Sequence, residues 1–232
     1  MKTNQERGNA LIYVLIAIVL FAALSLTLGR QTDTSESGGL NDDRARLYAS
    51  QLISYAAQAK SSVDQMLFSG TDINDLDFAL PGSATYDTGT SANKIKRVYH
   101  PDGGGLNASP LPKDSVTYTG NDPVASWYMG RFNNIEWTKT SATDVILVAY
   151  GIDKTVCEKI NETVNGSATI PAMTDSIRDV MIDDVYHSGT NGDLLTDPAG
   201  TPVCAACHKV SSLCVEDSGG SIYGFYTVIE SR

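Results

Sequence analysis

The stretch ERGNALIYVLIAIVLFAALSLTLG, residues 6–29, decides how the rest of the chain is read. From Gly8 to Gly29 it contains no charged residue. As a helix it would extend roughly 33 Å at about 1.5 Å per residue, enough to cross a bilayer. Lys2 and Arg7 precede it, Glu6 offsets one of them, and the basic excess places the first residues in the cytoplasm and the body outside. Three interpretations compete. A cleavable secretory signal would use Ala23-Leu24-Ser25 as its small-residue site, but the apolar run continues through Leu26 and Leu28. An uncleaved anchor accounts for the length and leaves the residues before the run unexplained. The third uses those residues.

Glu6-Arg7-Gly8, followed by Asn9-Ala10-Leu11-Ile12, resembles the leader junction of type IV pilins and pseudopilins. The resemblance implies that a prepilin peptidase cuts between Gly8 and Asn9 and methylates the new N-terminus. The apolar segment then stays on the mature protein as the helix that packs among other pilin-like subunits. Tyr13 stands at the fifth mature position, where major pilins carry a glutamate. Minor and tip-type members often lack that glutamate, so the departure points to a minor or tip-type subunit. The domain layout expected on this basis is a leader over 1–8, a transmembrane or filament-core helix over 9–30, a hinge over 31–41 and a head over 42–232.

The 232 residues carry 17 basic and 27 acidic side chains, a formal charge of −10, with a sequence pI near 4.6 and a mean hydropathy of −0.13. Such a balance repels phosphate, and no nucleic-acid partner is expected. A soluble body bearing one apolar segment fits these values; a polytopic membrane protein does not.

Beyond the polar, Gly38-Gly39-containing stretch from Gln31 to Asn41, helical spacing returns between Asp42 and Phe68. Leu52, Ala56, Ala59, Val63 and Met66 form one stripe, Asp42 and Asp43 suit the first turn, and Gly70 is placed to end the helix. Further on, apolar pieces are short. Strands are expected over Ile95–Tyr99, Ser115–Tyr118, Asn134–Trp137 and Tyr223–Ile229, the last half-buried by its alternation. The run Asp144–Tyr150 leads into a helix from Lys154 that ends near Asn165-Gly166, and Thr174–His187 reads as a second helical piece. The fold class expected is α+β, a long N-terminal helix packed on an antiparallel sheet. The body is similar to a group of alphaproteobacterial pilin-like envelope proteins. The likeness runs through Asp75-Leu76-Asp77-Phe78, the loop His100-Pro101-Asp102-Gly103-Gly104-Gly105, Val156–Asn161 and Tyr223–Glu230. It implies a pilin-type head and carries no known activity with it; no catalytic residue is expected.

Four cysteines, Cys157, Cys204, Cys207 and Cys214, form an even set in a body placed outside the cytoplasm, where disulfides are the default. Three pairings are possible. The preferred one joins Cys157 to Cys214, closing a loop of roughly 58 residues at about 3–4 kcal/mol by chain-entropy scaling, with Cys204 and Cys207 bridged to each other or reduced. Pilins commonly close their C-terminal region with a late disulfide of this kind. Cys204-Ala205-Ala206-Cys207-His208 is also the C-x-x-C-H string of covalent haem c, with Met173, Met181, His100 or His187 as a second axial ligand. On that alternative the chain is an anchored periplasmic cytochrome. Zinc at Cys204, Cys207, His208 and Cys214 lacks the second ligand pair that would carry it. No cofactor and no metal are expected on the main interpretation.

Weaker signals read as structure. Gly103–Gly105 is a turn sooner than a phosphate cradle. Asp179, Asp183 and Asp184 lack the offsets of a calcium loop, which Asn191-Gly192-Asp193 does not restore. Ser218 in Asp217-Ser218-Gly219-Gly220 has no base, and Trp127 and Trp137 suit a core. The Asn-x-Ser/Thr strings at Asn107, Asn161 and Asn165 carry no weight in a bacterial chain. The function expected is a non-enzymatic minor or tip-type pilin-like subunit. It would be a single-pass inner-membrane protein with its head in the periplasm, or part of a filament; a tethered adhesin that never polymerises is the second alternative.

Overall fold

The structure is a computed structural model that describes residues 13–14, 16–21, 41–135, 142–182 and 203–232. The chain divides into two units, Met1–Asn41 and Asp42–Arg232. In the first, residues 13–14 and 16–21 are helical. Among the described residues no helix is long and apolar enough to cross a membrane. The expected span from Ala10 to Leu28 lies mostly outside them, as do the leader and all of the hinge but Asn41.

The second unit starts with helix α1, Asp42–Phe68. Its buried side chains include the whole stripe Leu52, Ala56, Ala59, Val63 and Met66, extended backwards by Ala45 and Ala49. Alanine at four of these positions leaves no bulk between the helix and what it covers, so α1 lies close against its neighbours. Gly70 takes the left-handed conformation, φ +95°, and the chain turns away as Thr71 N–H bonds the Met66 carbonyl.

Residues 71–126 hold little regular structure: a short helix α2, Ser91–Lys94, and two 3₁₀ turns, Ile73–Asp75 and Lys113–Ser115. Two strands expected here are absent, because Arg97 and Val116 make only isolated bridges, to Asp77 and Ile152. Side chains organise the region instead. The Arg97 guanidinium, 5% exposed as a residue, meets Asp77 and the carbonyls of Tyr86 and Thr88. Tyr55 and Tyr48 of α1 reach out to the Asn107 carbonyl and to Asp114.

Four strands follow: β1, Trp127–Asn133; β2, Asp144–Ile152; β3, Ser212–Glu216; and β4, Tyr223–Glu230. They form one antiparallel sheet in the order β1-β2-β4-β3. Between β2 and β3 run helix α3, Lys154–Asn165, and helix α4, Ile177–Met181. Asp153 caps α3 by accepting from Thr155 N–H, and Gly166 at φ +73° ends it, at the residue pair where the sequence places the stop. The strand expected at Asn134–Trp137 is displaced to β1, and Glu136 and Trp137 fall outside the described residues. The expected Thr174–His187 helix is limited to α4 among the described residues.

Burial corrects one expectation. β4 is buried on both faces except for its last residue, and β2 along its whole length. Helices α1 and α3 cover one face of the sheet. On the other, Ile146, Val148, Tyr150, Leu213, Val215, Tyr226 and Val228 share a core with α4 and with Val203, Cys204 and Cys207. The alternation of β4 reads as half-buried only because its second cover comes from irregular chain that has no periodicity.

Candidate functional site

The chemically loaded residues gather where α3 meets the outer strand β3. Val156, Cys157, Ile160 and Asn161 form the buried face of α3. Cys157 is joined to Cys214 at the middle of β3, the pairing preferred from the sequence. One turn later, Asn161, 0% exposed, lies along the free edge of the strand. Its side-chain amide donates to the Cys214 carbonyl at 2.8 Å and to the Thr169 carbonyl at 2.9 Å, and its oxygen accepts from Cys214 N–H at 2.8 Å. Asn165 donates to the Ser212 carbonyl. The Glu216 N–H and carbonyl pair with Pro171 and Met173. An edge that would otherwise recruit another strand is thereby closed. Sequence reading missed the role of Asn161; the available signal was a polar residue one helical turn from a cysteine, on the same face.

An ion network fastens the first turn of α1 to α3. Lys159 bonds Asp42 at 2.6 Å and Glu162 at 3.2 Å, and Arg46 bonds Asp42 at 3.0 Å and Glu162 at 3.4 Å. The Lys159 ammonium, then Arg46, lowers the Asp42 carboxyl below its ordinary range, and Asp42 in turn raises Lys159. At the opposite end of the sheet, buried Asp144 accepts from the main-chain N–H groups of Ile135 and Arg232, so the C-terminus is latched to β2. Burial raises the Asp144 carboxyl, and the two N–H donors only partly oppose that.

Cys204 and Cys207 are bonded to each other across the 3₁₀ turn Ala205–Cys207. They are 2% and 0% exposed and enclosed by the apolar core with Met173, Ile177, Met181 and Tyr226. Haem attachment needs two free thiols presented to the edge of a large macrocycle. Here each sulfur is used by the other, and close-packed side chains fill the space they face, so this donor arrangement does not fit haem. Met173 and Met181 are core residues, and His100 belongs elsewhere, its ring 5.2 Å from that of Tyr86 and tilted by 45°, with Nδ1 accepting from Asp102 N–H. No group of acidic, histidine and cysteine side chains suited to a metal occurs among the described residues.

The glycine loop has a packing role. A Cβ on Gly103 would lie 2.2 Å from the Arg97 carbonyl oxygen, and one on Gly104 2.5 Å from Ser62 Oγ of α1. Ser62 Oγ donates to the Gly104 carbonyl at 2.7 Å. The loop is therefore docked on α1 and does not open a helix that would cradle phosphate. Asp217 accepts from the N–H groups of Ile177 and Gly219, which makes the Asp217-Ser218 sequence a structural turn. Trp127 packs on Tyr55 at 4.7 Å as a core aromatic. Asp179 pairs with Arg178. Gly8, Asn9, Trp137, Asp183, Asp184, His187 and Asn191–Asp193 lie outside the described residues. No family model, curated protein or solved structure matches the chain.

Proposed function

We propose that the chain is a non-enzymatic, minor or tip-type pilin-like subunit of a type IV filament or related secretion machine. It is processed between Gly8 and Asn9 and anchored by the helix that begins there. The observation that carries this reading is the run of apolar side chains left in solvent near the N-terminus. Tyr13, Val14, Ile18, Val19, Leu20 and Phe21 are between 57% and 74% exposed in helical residues, while the second unit has a core of its own. Each such side chain gains about 1.5–3 kcal/mol when covered, and lipid or the matching helices of other subunits supply that cover. A helix laid on a four-stranded antiparallel sheet, with a late disulfide, is the head this reading expects. Removing residues 1–8 takes away two basic side chains and one acidic one, so the mature chain is more acidic still and unsuited to phosphate.

The test is the intact mass of the protein from its native membrane, measured with and without reductant. The expected product starts at Asn9, carries one methyl group and changes on reduction only by the protons of two disulfides. A full-length, unmethylated mass would leave a plain anchor and remove the filament assignment; a mass bearing haem would replace it with a cytochrome. Substitution of Gly8 should block processing and assembly, whereas a tethered adhesin would still be displayed.

A further inference from the structure

Trp127, the first residue of β1, lies against α1 with its ring 4.7 Å from that of Tyr55. It is 7% exposed, yet its indole N–H, which solvent still reaches, meets no acceptor among the described residues. A buried tryptophan ordinarily finds a partner for that donor. Trp127 also lines a groove of about 390 Å³, within the size range of small-molecule sites.

One wall of the groove is α1. Gln51, Ser54 and Gln58 recur there at the spacing of one helical face, and among the described residues their side chains bond no protein group. The neighbouring Ser50 hydroxyl, by contrast, is used by its own helix, donating to the Arg46 carbonyl. The opposite wall is the irregular chain at Ser109, Pro110 and Pro112. It is held in place from both sides: Tyr55 Oη donates to the Asn107 carbonyl, and Ser115 donates its N–H and its hydroxyl to the Pro112 carbonyl. The groove is therefore formed before anything enters it, which lowers the cost of binding.

Charged residues make up 19% of the chain, but none of the ten residues lining the groove is charged. An ion entering it would lose water and gain no counter-charge. A wholly apolar ligand would cover the amides, the hydroxyls and the indole N–H without pairing them. The lining suits a neutral molecule dense in groups that both donate and accept, with C–H surface to lay on Leu52 and the prolines. We propose that this groove binds a neutral mono- or disaccharide. Trp127 donates its indole N–H to a sugar oxygen, and Gln51 and Gln58 meet the hydroxyls. Because so little of the indole is exposed, the sugar meets its N–H edge and does not stack on its face. The proposal is independent of the filament reading.

The test uses the full chain, isotope-labelled and solubilised in a detergent without a sugar headgroup. It is titrated with maltose, lactose, cellobiose and N,N′-diacetylchitobiose, with sialyllactose as the charged comparison. The indole N–H resonances are followed, and Trp137→Phe identifies the one from Trp127. At least one neutral sugar should bind saturably with a Kd of about 1 mM or tighter and shift the Trp127 signal. Trp127→Phe keeps an aromatic ring on Tyr55, and Gln58→Ala alters only an exposed side chain of α1. Each should weaken binding about three- to tenfold, with the melting temperature of Gln58→Ala unchanged. No saturable binding of any neutral sugar, tighter binding of sialyllactose, a Trp127 signal that does not move, or an unaltered affinity in either variant would overturn the proposal.

Discussion

Replacing Asn161 with Asp keeps the shape of the side chain and its acceptor, and removes both N–H donors from the sealed edge of β3. In the parent those donors serve the Cys214 and Thr169 carbonyls, at 2.8 and 2.9 Å. The variant therefore orphans two carbonyls and sets a carboxylate against them in a site with no solvent exposure. Breaking a buried polar pairing in this way costs about 3–5 kcal/mol at neutral pH. The cost depends on pH. The new carboxyl has a folded pKa raised above its unfolded value, so the part of the penalty that comes from its charge is absent below about pH 3.9 and grows as pH rises toward the folded value, while the part that comes from the lost donors persists. The parent and the variant should differ less at pH 4 than at pH 7. Urea unfolding of residues 42–232, disulfides intact, reads this directly: about 4 kcal/mol is a midpoint shift of about 2 M at about 2 kcal/mol/M. Asn161→Leu, of similar volume, should be destabilised without the pH dependence. If Asn161→Asp unfolds at the parental midpoint at pH 7, this amide does not hold the edge, and the account of β3 fails.

Three further outcomes are expected. Removing the Cys157–Cys214 bond with paired alanines should cost about 4 kcal/mol, against about 2 kcal/mol for Cys204–Cys207, because the loops closed differ in length; paired urea midpoints would show it. Gly104→Ala should destabilise by about 1–3 kcal/mol through collision with Ser62 and Met66. Gly105→Ala, with open space around its Cβ but φ +63°, should lose only about 1–2 kcal/mol from backbone strain. Asp144 has a raised carboxyl pKa, so its contribution is largest below about pH 3.9 and is lost as pH climbs through its folded value. Asp144→Asn should abolish that part of the pH slope in thermal melts between pH 4 and 7, and an unchanged slope would show that burial of this carboxyl does not govern it.

What could be read from the sequence divides along physical lines. Helices α1 and α3 were legible because each presents one apolar stripe and ends at a glycine in the left-handed region. β4 was legible as a strand but not as a doubly covered one, since burial of the outer face depends on α4 and on the Cys204–Cys207 turn. β1 escaped notice because Trp127-Tyr128-Met129-Gly130-Arg131-Phe132-Asn133 alternates in neither hydrophobicity nor size. A Cβ on Gly130 would lie 2.5 Å from the Phe132 ring, which would have to move aside. Ile95–Tyr99 looks like a strand because Ile95, Val98 and Tyr99 are β-formers, yet Arg97 within it is a buried hub for Asp77 and for the carbonyls of Tyr86 and Thr88. Tertiary demand on one side chain overrode local propensity there.

At the α3–β3 junction the legible and the illegible parts act on the same residue. Cys157 and Asn161 sit one turn apart and both address Cys214, one through its sulfur and the other through its main chain. The covalent bond was accessible to reasoning because cysteines can be counted and the compartment inferred. The amide was not, because an asparagine on a helix is ordinarily a surface residue, and only the position of a strand edge gives it a purpose. Their combination fixes more than either alone. A disulfide by itself tolerates rotation of the helix about the bond, and the three hydrogen bonds of Asn161 remove that freedom. Helix α3, already tied to α1 by Lys159 and Arg46, thus sets the outer strand at one register. The connection between β2 and β3 is consequently held at α3 and at β3.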